Sequence, residues 1–225
     1  MKQQKTLSIA ILTSLGLSLG AASFSAQAIQ EGDMFMRVTA TQVTPSSSST
    51  GFENAPTVIP QAEDSTKPGF TFVYMMSNNI GFEVLAALPF EHDVIVDGIG
   101  LVGSTKQLPP TISVQYYFNP SQKFRPYVGI GLNYTTFFND NFTQATADLV
   151  NSLDPANTMA PDLEIDDSFG LAAQIGFDYD LDDKWFVSAD VRYINIETEA
   201  HNDFLGKSDI DINPTVVSVG LGYKF

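Results

Sequence analysis

The chain has 225 residues, 11 Lys+Arg against 26 Asp+Glu for a net charge of −15, two histidines and no cysteine. So large an acidic excess repels nucleic acid and excludes it as a partner, and without cysteine no disulfide can hold the fold. The length is that of one domain, and no stretch of the mature part is apolar for long enough to be a transmembrane helix.

Met1-Lys2-Gln3-Gln4-Lys5, an apolar run from Leu7 to Leu19 and Ala26-Gln27-Ala28 read as a secretory signal peptide with its cleavage site. Residues 1–28 are therefore assigned as the signal and 29–225 as the domain. Without Lys2 and Lys5 the mature chain carries 9 Lys+Arg against 26 Asp+Glu, a net −17. Export points to an oxidising compartment, yet the stability has to come from something other than disulfides. A sheet closed on itself in lipid satisfies its own backbone hydrogen bonds and needs no cross-links.

Strands are expected at 33–43, 69–77 and 80–90. Ile112, Val114, Tyr116 and Phe118 then alternate with Thr111, Ser113, Gln115 and Tyr117, and Val128, Ile130, Leu132 and Tyr134 alternate with Gly129, Gly131, Asn133 and Thr135. The longest alternation runs from Ser168 to Tyr179, and further strands fit at 185–197 and from about 212 to Phe225. Eight strands, an even number, predict an all-β fold: an eight-stranded antiparallel transmembrane β-barrel, one face to lipid and one to a lumen. The connections 78–79, 119–123 and 180–184 are short, whereas 44–68, 91–107, 139–167 and 198–211 are long and acidic. Short turns belong to the periplasm and long loops to the outside. Aromatic girdles are expected from Phe118, Phe124, Tyr127, Trp185 and Phe186 at one boundary and Tyr134, Phe137 and Phe138 at the other. The chain ends in alternation on Tyr223 and Phe225, a pattern like the terminal-strand signal read by the outer-membrane assembly machinery.

Several segments resemble the OmpW family of outer-membrane proteins. They are Gly32-Asp33 with Arg37, Leu88-Pro89-Phe90-Glu91-His92-Asp93, Lys106-Gln107-Leu108-Pro109-Pro110-Thr111 and Gln115-Tyr116-Tyr117-Phe118. The most specific is Lys123-Phe124-Arg125-Pro126-Tyr127-Val128-Gly129 with Gly131-Leu132-Asn133-Tyr134, followed by Asp190-Val191-Arg192-Tyr193-Ile194 and Gly220-Leu221-Gly222-Tyr223-Lys224-Phe225. The resemblance spans the mature chain. It implies an eight-stranded barrel with a narrow hydrophobic channel that passes small apolar solutes and releases them sideways into the bilayer.

An eight-stranded bore is just wide enough to be filled by side chains or to hold one small ligand. Strand parity points Arg37, Glu83, Arg125, Asp178, Asp190, Arg192 and Lys224 inward, four positive and three negative, and predicts a plug of salt bridges in the periplasmic half. Above it, parity gives Phe35, Val73, Met75, Leu85, Ala87 and Phe137. Two readings stand: a greasy vestibule closed below by charge, or ordinary core filling. Pro89, Pro109 and Pro110 flank the second long loop. Proline cannot donate to a ladder, so they mark either a lateral opening or merely the ends of strands.

Gly98-Ile99-Gly100-Leu101-Val102-Gly103 matches a dinucleotide fingerprint, but no helix follows to hold a pyrophosphate, so it reads as a flexible loop. Asp209-Ile210-Asp211-Ile212-Asn213 lacks the Gly and bidentate Glu of a calcium loop and reads as the start of the last strand. Asp162, Glu164, Asp166 and Asp167 read as a solvated loop, the alternative being a weak divalent-cation site that docks it to lipopolysaccharide. His92 and His201 are too few for a His-rich metal site, and His92 beside Asp93 lacks a nucleophile motif. Helical spacing over 141–153 predicts a short amphipathic helix. No cofactor, metal or enzymatic role follows. The expected partners are outer-membrane lipid, lipopolysaccharide, the assembly machinery and small hydrophobic solutes. The competing function is a surface receptor or adhesion barrel acting through its acidic loops.

Overall fold

Along Ser168–Asp180 every even-numbered residue is buried and every odd-numbered one exposed. Such strict two-residue periodicity requires an extended strand with different surroundings on its two faces. A computed structural model, described over residues 28–54, 56, 59–96, 100–153, 164–202 and 206–225, assembles eight strands of this kind. They are β1 (Met34–Thr44), β2 (Ser65–Met75), β3 (Ile80–Ala87), β4 (Thr111–Tyr117), β5 (Phe124–Phe142), β6 (Ser168–Asp180), β7 (Trp185–Ile194) and β8 (Thr215–Lys224). The export signal expected over 1–28 lies, but for Ala28, outside the described residues.

Each strand pairs antiparallel with its neighbours in sequence. The barrel closes where β1 meets β8, from Phe35 opposite Lys224 to Thr44 opposite Thr215. Closure removes the free edges that would otherwise expose unpaired backbone groups. At one backbone contact of this seam Gly220 is required. A Cβ there would sit 2.0 Å from the Val38 carbonyl oxygen and 2.6 Å from Thr39 Cα, backbone atoms that cannot swing aside.

The outer face is apolar where a soluble protein would be polar: Ile130 is 74% exposed and Phe169 69%. An apolar band of this extent fits hydrocarbon, not water. Aromatic rings cluster at the short-turn end, with Trp185 on Tyr223 at 4.9 Å, Tyr223 on Phe225 at 5.6 Å and Tyr116 on Phe118 at 5.3 Å. Three rings assigned to the girdles do not belong there. Tyr127, Phe186 and Phe137 are buried in the lumen, because nearness to a strand end says nothing about which face a residue takes.

The expected long loops contain much of the correction. The segment 91–107 is not an open loop: Phe90–Val96 and Gly100–Leu108 form a hairpin that extends the wall, with Gly103–Leu108 paired to the upper part of β5. Its own alternation, Phe90, His92 and Val94 buried against Glu91 and Asp93 exposed, carries that pairing. Gly100 turns with φ +100 at the base of its tip, while Gly98 and Ile99 lie outside the described residues. The segment 198–211 is likewise sheet. Glu197–Asn202 and Gly206–Asp211 form a hairpin flanked by Glu164–Ile165 and Ser48–Ser49, a small four-stranded sheet over the long-loop end. Asp209-Ile210-Asp211 therefore belongs to this hairpin and not to the last strand, which starts at Thr215. The helix expected over 141–153 is α1, Gln144–Leu153, its start capped by Thr143 Oγ1 accepting from the Thr146 amide at 3.2 Å.

Candidate functional site

The barrel interior is stacked in levels along its axis. Antiparallel pairing sets the strand directions, so the start of β1 and the ends of β2, β4, β6 and β8 all lie at the mouth with the short turns. There Asp180 accepts from Lys224 Nζ at 2.9 Å and from Arg125. Beside this triad Ile29, Phe35, Val73, Met75, Tyr117, Tyr127 and Phe186 pack into an apolar floor. Phe35 meets Phe186 edge to face at 5.5 Å. The floor is held from the N-terminal side, where the Ile29 amide donates to Pro120 O and the Gly32 amide to Met75 O.

One inward step up β1 from Phe35 stands Arg37, the centre of an ionic layer. Its Nε and Nη2 donate to the two oxygens of Asp178 at 3.1 and 2.9 Å, its Nη1 to Glu83 at 3.2 Å and its Nη2 to the Tyr117 hydroxyl at 2.7 Å. The guanidinium plane also lies over the Tyr127 ring, 5.0 Å from its centroid, a contact that strengthens out of water. Glu83 is shared: it accepts from Arg192 at 2.8 Å, Gln115 at 2.7 Å and Gln174 at 3.0 Å. Arginines and carboxylates that are almost wholly buried persist only when paired in this way.

All seven charges expected inside are in the bore, but in two groups. Arg37, Glu83, Asp178 and Arg192 form the layer, Arg125 and Lys224 meet at the mouth, and Asp190 stands 4.0 Å from Arg192. The sequence reading missed Asp180, which sits at the hub of the second group because it was counted into a turn. Its even-residue parity with Asp178 was the available signal. Gln115, Tyr117 and Gln174 share the inward parity of their strands and complete the layer.

Above the ions the wall carries hydroxyls and amides. Thr39 and Thr41 are bonded at 2.9 Å, Thr41 reaches Ser218 at 3.3 Å, and Asn133 donates to Thr111 at 3.0 Å. Highest of all is an apolar cluster: Val43, Phe90, Phe137, Ile194 and Val216 from the wall, with Phe52, Ile196, Ala200, Ile210 and Ile212 beneath the loops.

The apolar residues expected as one vestibule above the charges therefore separate. Phe35, Val73 and Met75 are in the floor below Arg37. Leu85 is buried above the ionic layer on β3, and Phe137 is in the upper cluster. Ala87 ends β3 opposite Gly69, its side chain outside the described ones. Parity assigns a face and no depth, and the upper cluster is supplied largely by segments read as loops.

Wall pairing lapses beside that cluster. The β3–β4 ladder stops at Leu85 opposite Thr111, and the next pairing on this side is Phe90 opposite Gln107. Pro89, Pro109 and Pro110 fall in the interval, where two consecutive residues have no amide hydrogen to donate. Phe90, Gln107 and Phe137 share a register row immediately above it.

His92 and Asp93 point to opposite faces of their hairpin. His92 Nδ1 donates to Glu63 O at 2.6 Å, which leaves Nε2 to accept from the Gln107 amide at 2.9 Å. Burial pushes this imidazole below its ordinary 6.5, against the opposing pull of the Glu63 hydrogen bond and of Asp64 and Asp93.

The family model of the OmpW family matches residues 30–225, nearly the whole described chain. The chain belongs to the OmpW family. This OmpW-family protein is 44% identical over 224 residues to outer membrane protein W of Vibrio cholerae, covering 95% of this chain and 99% of that one. It is 35% identical over the full length of both chains to outer membrane protein W of Escherichia coli K12. The crystal structure of outer membrane protein OprG from Pseudomonas aeruginosa superposes with a TM-score of 0.78 at 34% identity, over 89% of this chain and 99% of that one. The OmpW-family barrel is thus an outer-membrane protein, set in membrane lipid by its apolar outer band.

Proposed function

We propose that the barrel is a passive uptake channel for small apolar molecules, which enter the apolar cluster beneath the loops and leave sideways through the wall. The observation that supports it best is the order of levels. An apolar cluster of Val43, Phe90, Phe137, Ile196 and Ile212 stands over hydroxyls, and these stand over the buried Arg37–Glu83–Asp178–Arg192 layer. An apolar solute gains by entering the first and loses by descending into the last. The ionic layer acts as a plug that stops ions and solute alike, so a route to the periplasm down the axis is closed.

The route left is the break at Pro89, Pro109 and Pro110. On the outside, next to Thr111, an apolar groove of about 660 Å³ runs over Phe82, Ile112, Val114, Ile130, Leu132, Leu171 and Tyr193. It faces hydrocarbon and offers a landing surface for a molecule leaving the bore. In this reading Tyr223 and Phe225 serve assembly, and no residue has a catalytic role.

The test is uptake of a small hydrocarbon into proteoliposomes. Phe137→Asp is expected to abolish it, and cysteines at Ala86 and Pro110 joined by a short thiol crosslinker are expected to stop it until the link is cleaved. Uptake indifferent to both changes removes the proposal. Retained cell-surface attachment by those same variants would then favour the receptor reading, for which the acidic loop sheet is the supporting observation.

A further inference from the structure

The outer face of the small loop sheet is unusually rich in acid. Glu164 lies opposite His201 and Ile165 opposite Ala200, and the Asp166 amide donates to Glu199 O at 2.9 Å, which carries the register one step further. Alternation turns Ile165 and Ala200 toward the apolar cluster. It leaves Glu164, Asp166, Glu199 and His201 together on the outside. On the other side of the same strand Glu199 faces Asp209, and Glu197 faces Asp211. Like charges directly opposite on antiparallel strands destabilise the pairing, and Glu199 has one on each flank. Lys207 Nζ, 2.6 Å from Glu199, offsets only part of this.

We infer that this face is a site for a divalent transition cation of the zinc type, held by Asp166, Glu199 and His201. Their ligand atoms all lie within 4.8 Å of one another; Glu199 and His201 come from one strand and Asp166 from the residue that follows its paired neighbour Glu164–Ile165, which brings an imidazole to two carboxylates. Zinc bonds of about 2.0–2.2 Å in a tetrahedron place the donors roughly 3.4 Å apart, a contraction that side-chain rotation supplies on an exposed face. The imidazole nitrogen is what selects the ion: carboxylates alone suit calcium or magnesium, whereas imidazole suits zinc, copper and nickel. Glu164, whose Oε2 lies 2.7 Å from His201 Nε2, is not one of the three, and its hydrogen bond to the imidazole has to yield if Nε2 is to bind the ion. The three residues span 166–201 in sequence, so the acidic run at 162–167 read alone shows one of them. Asp167 is not among them, since its carboxylate bonds to Tyr134 and the Phe137 amide.

The ion would relieve the like-charge pairs and tie the third long connection to the fourth over the apolar cluster. Lys207 has to release Glu199 for this to happen. The inference stands independently of the uptake reading, and either can fail alone.

The test is calorimetric titration of zinc chloride into the full barrel refolded in detergent micelles, with magnesium chloride as comparator and heat-modifiable gel mobility confirming that each variant is folded. One zinc per barrel is expected, with affinity falling about tenfold or more in His201→Ala and in Asp166→Asn. Lys207→Gln is expected to raise it, because a competing cation is gone. Zinc should also slow amide exchange in 197–202 and 206–211. No binding by the folded wild type overturns the inference. So does binding that magnesium matches and His201→Ala leaves unchanged, which would mark a diffuse acidic surface, or a Lys207→Gln variant that binds zinc less well.

Discussion

Arg37 and Asp178, 141 positions apart in the chain, meet across the bore in a two-pronged ion pair at 3.1 and 2.9 Å, each side chain at most 1% exposed. The pair links β1 to β6 through the lumen, a contact between strands that are not neighbours in the wall. Breaking a buried pair by removing one member costs about 3–5 kcal/mol, because a charge is left without a partner. Asp178→Asn is expected near the lower end, since Glu83 still neutralises Arg37, and Arg37→Ala near the upper end, since it leaves Asp178 with no cation while Glu83 keeps only Arg192. Urea unfolding of the barrel in lipid vesicles measures both, and equal losses would show that Glu83 plays no part.

A second expectation concerns pH. His92 is neutral and buried in the hairpin of the second long connection, its pKa held below 6.5 by burial. A base with a lowered folded pKa contributes its stability fully above 6.5 and loses it as pH falls through the folded value, because the unfolded segment takes the proton first. Amide exchange over 90–96 and 100–108 should therefore speed up relative to the rest of the barrel on acidification below 6.5. In His92→Gln the rate ratio to the rest of the barrel should stay flat across the same range.

The outer wall makes a different demand. Ile130, near the middle of β5 and 74% exposed, would tolerate arginine on a soluble protein. In the membrane Ile130→Arg is expected to cost about 2–4 kcal/mol, read from equilibrium folding into vesicles. A cost near zero would place this face in water.

Gly220 tests the seam. Gly220→Ala puts a methyl group 2.0 Å from the Val38 carbonyl oxygen, so β8 has to move away from β1. Slower folding into vesicles and a loss of about 1–3 kcal/mol are expected, in the range of an overpacked site. Gly32→Ala, where no atom lies within 4 Å, is strained only by its φ of +90 and should cost less.

How far the sequence reaches depends on whether a property is local. Alternation along 168–180, 111–117 and 128–135 assigns each side chain to a face with no knowledge of its neighbours, so the barrel, its eight strands and the inward set Arg37, Glu83, Arg125, Asp178, Asp190, Arg192 and Lys224 were legible in the residues themselves. Even the hairpin strands 90–96 and 100–108 carried a two-residue rhythm, hidden by their acidic residues and by Gly100 and Gly103.

Depth and partnership were decided by the tertiary structure. Val73 falls level with Phe35, below Arg37, and Phe137 far above it because closing the barrel sets each strand's stagger against the next, and no stretch of one strand encodes that. Asp166 comes to His201, and Asp178 to Arg37, only through pairings that join segments tens of residues apart. The chemistry of the bore and of the loop sheet comes from those cross-strand meetings, whereas two-residue alternation needs only the backbone's own geometry.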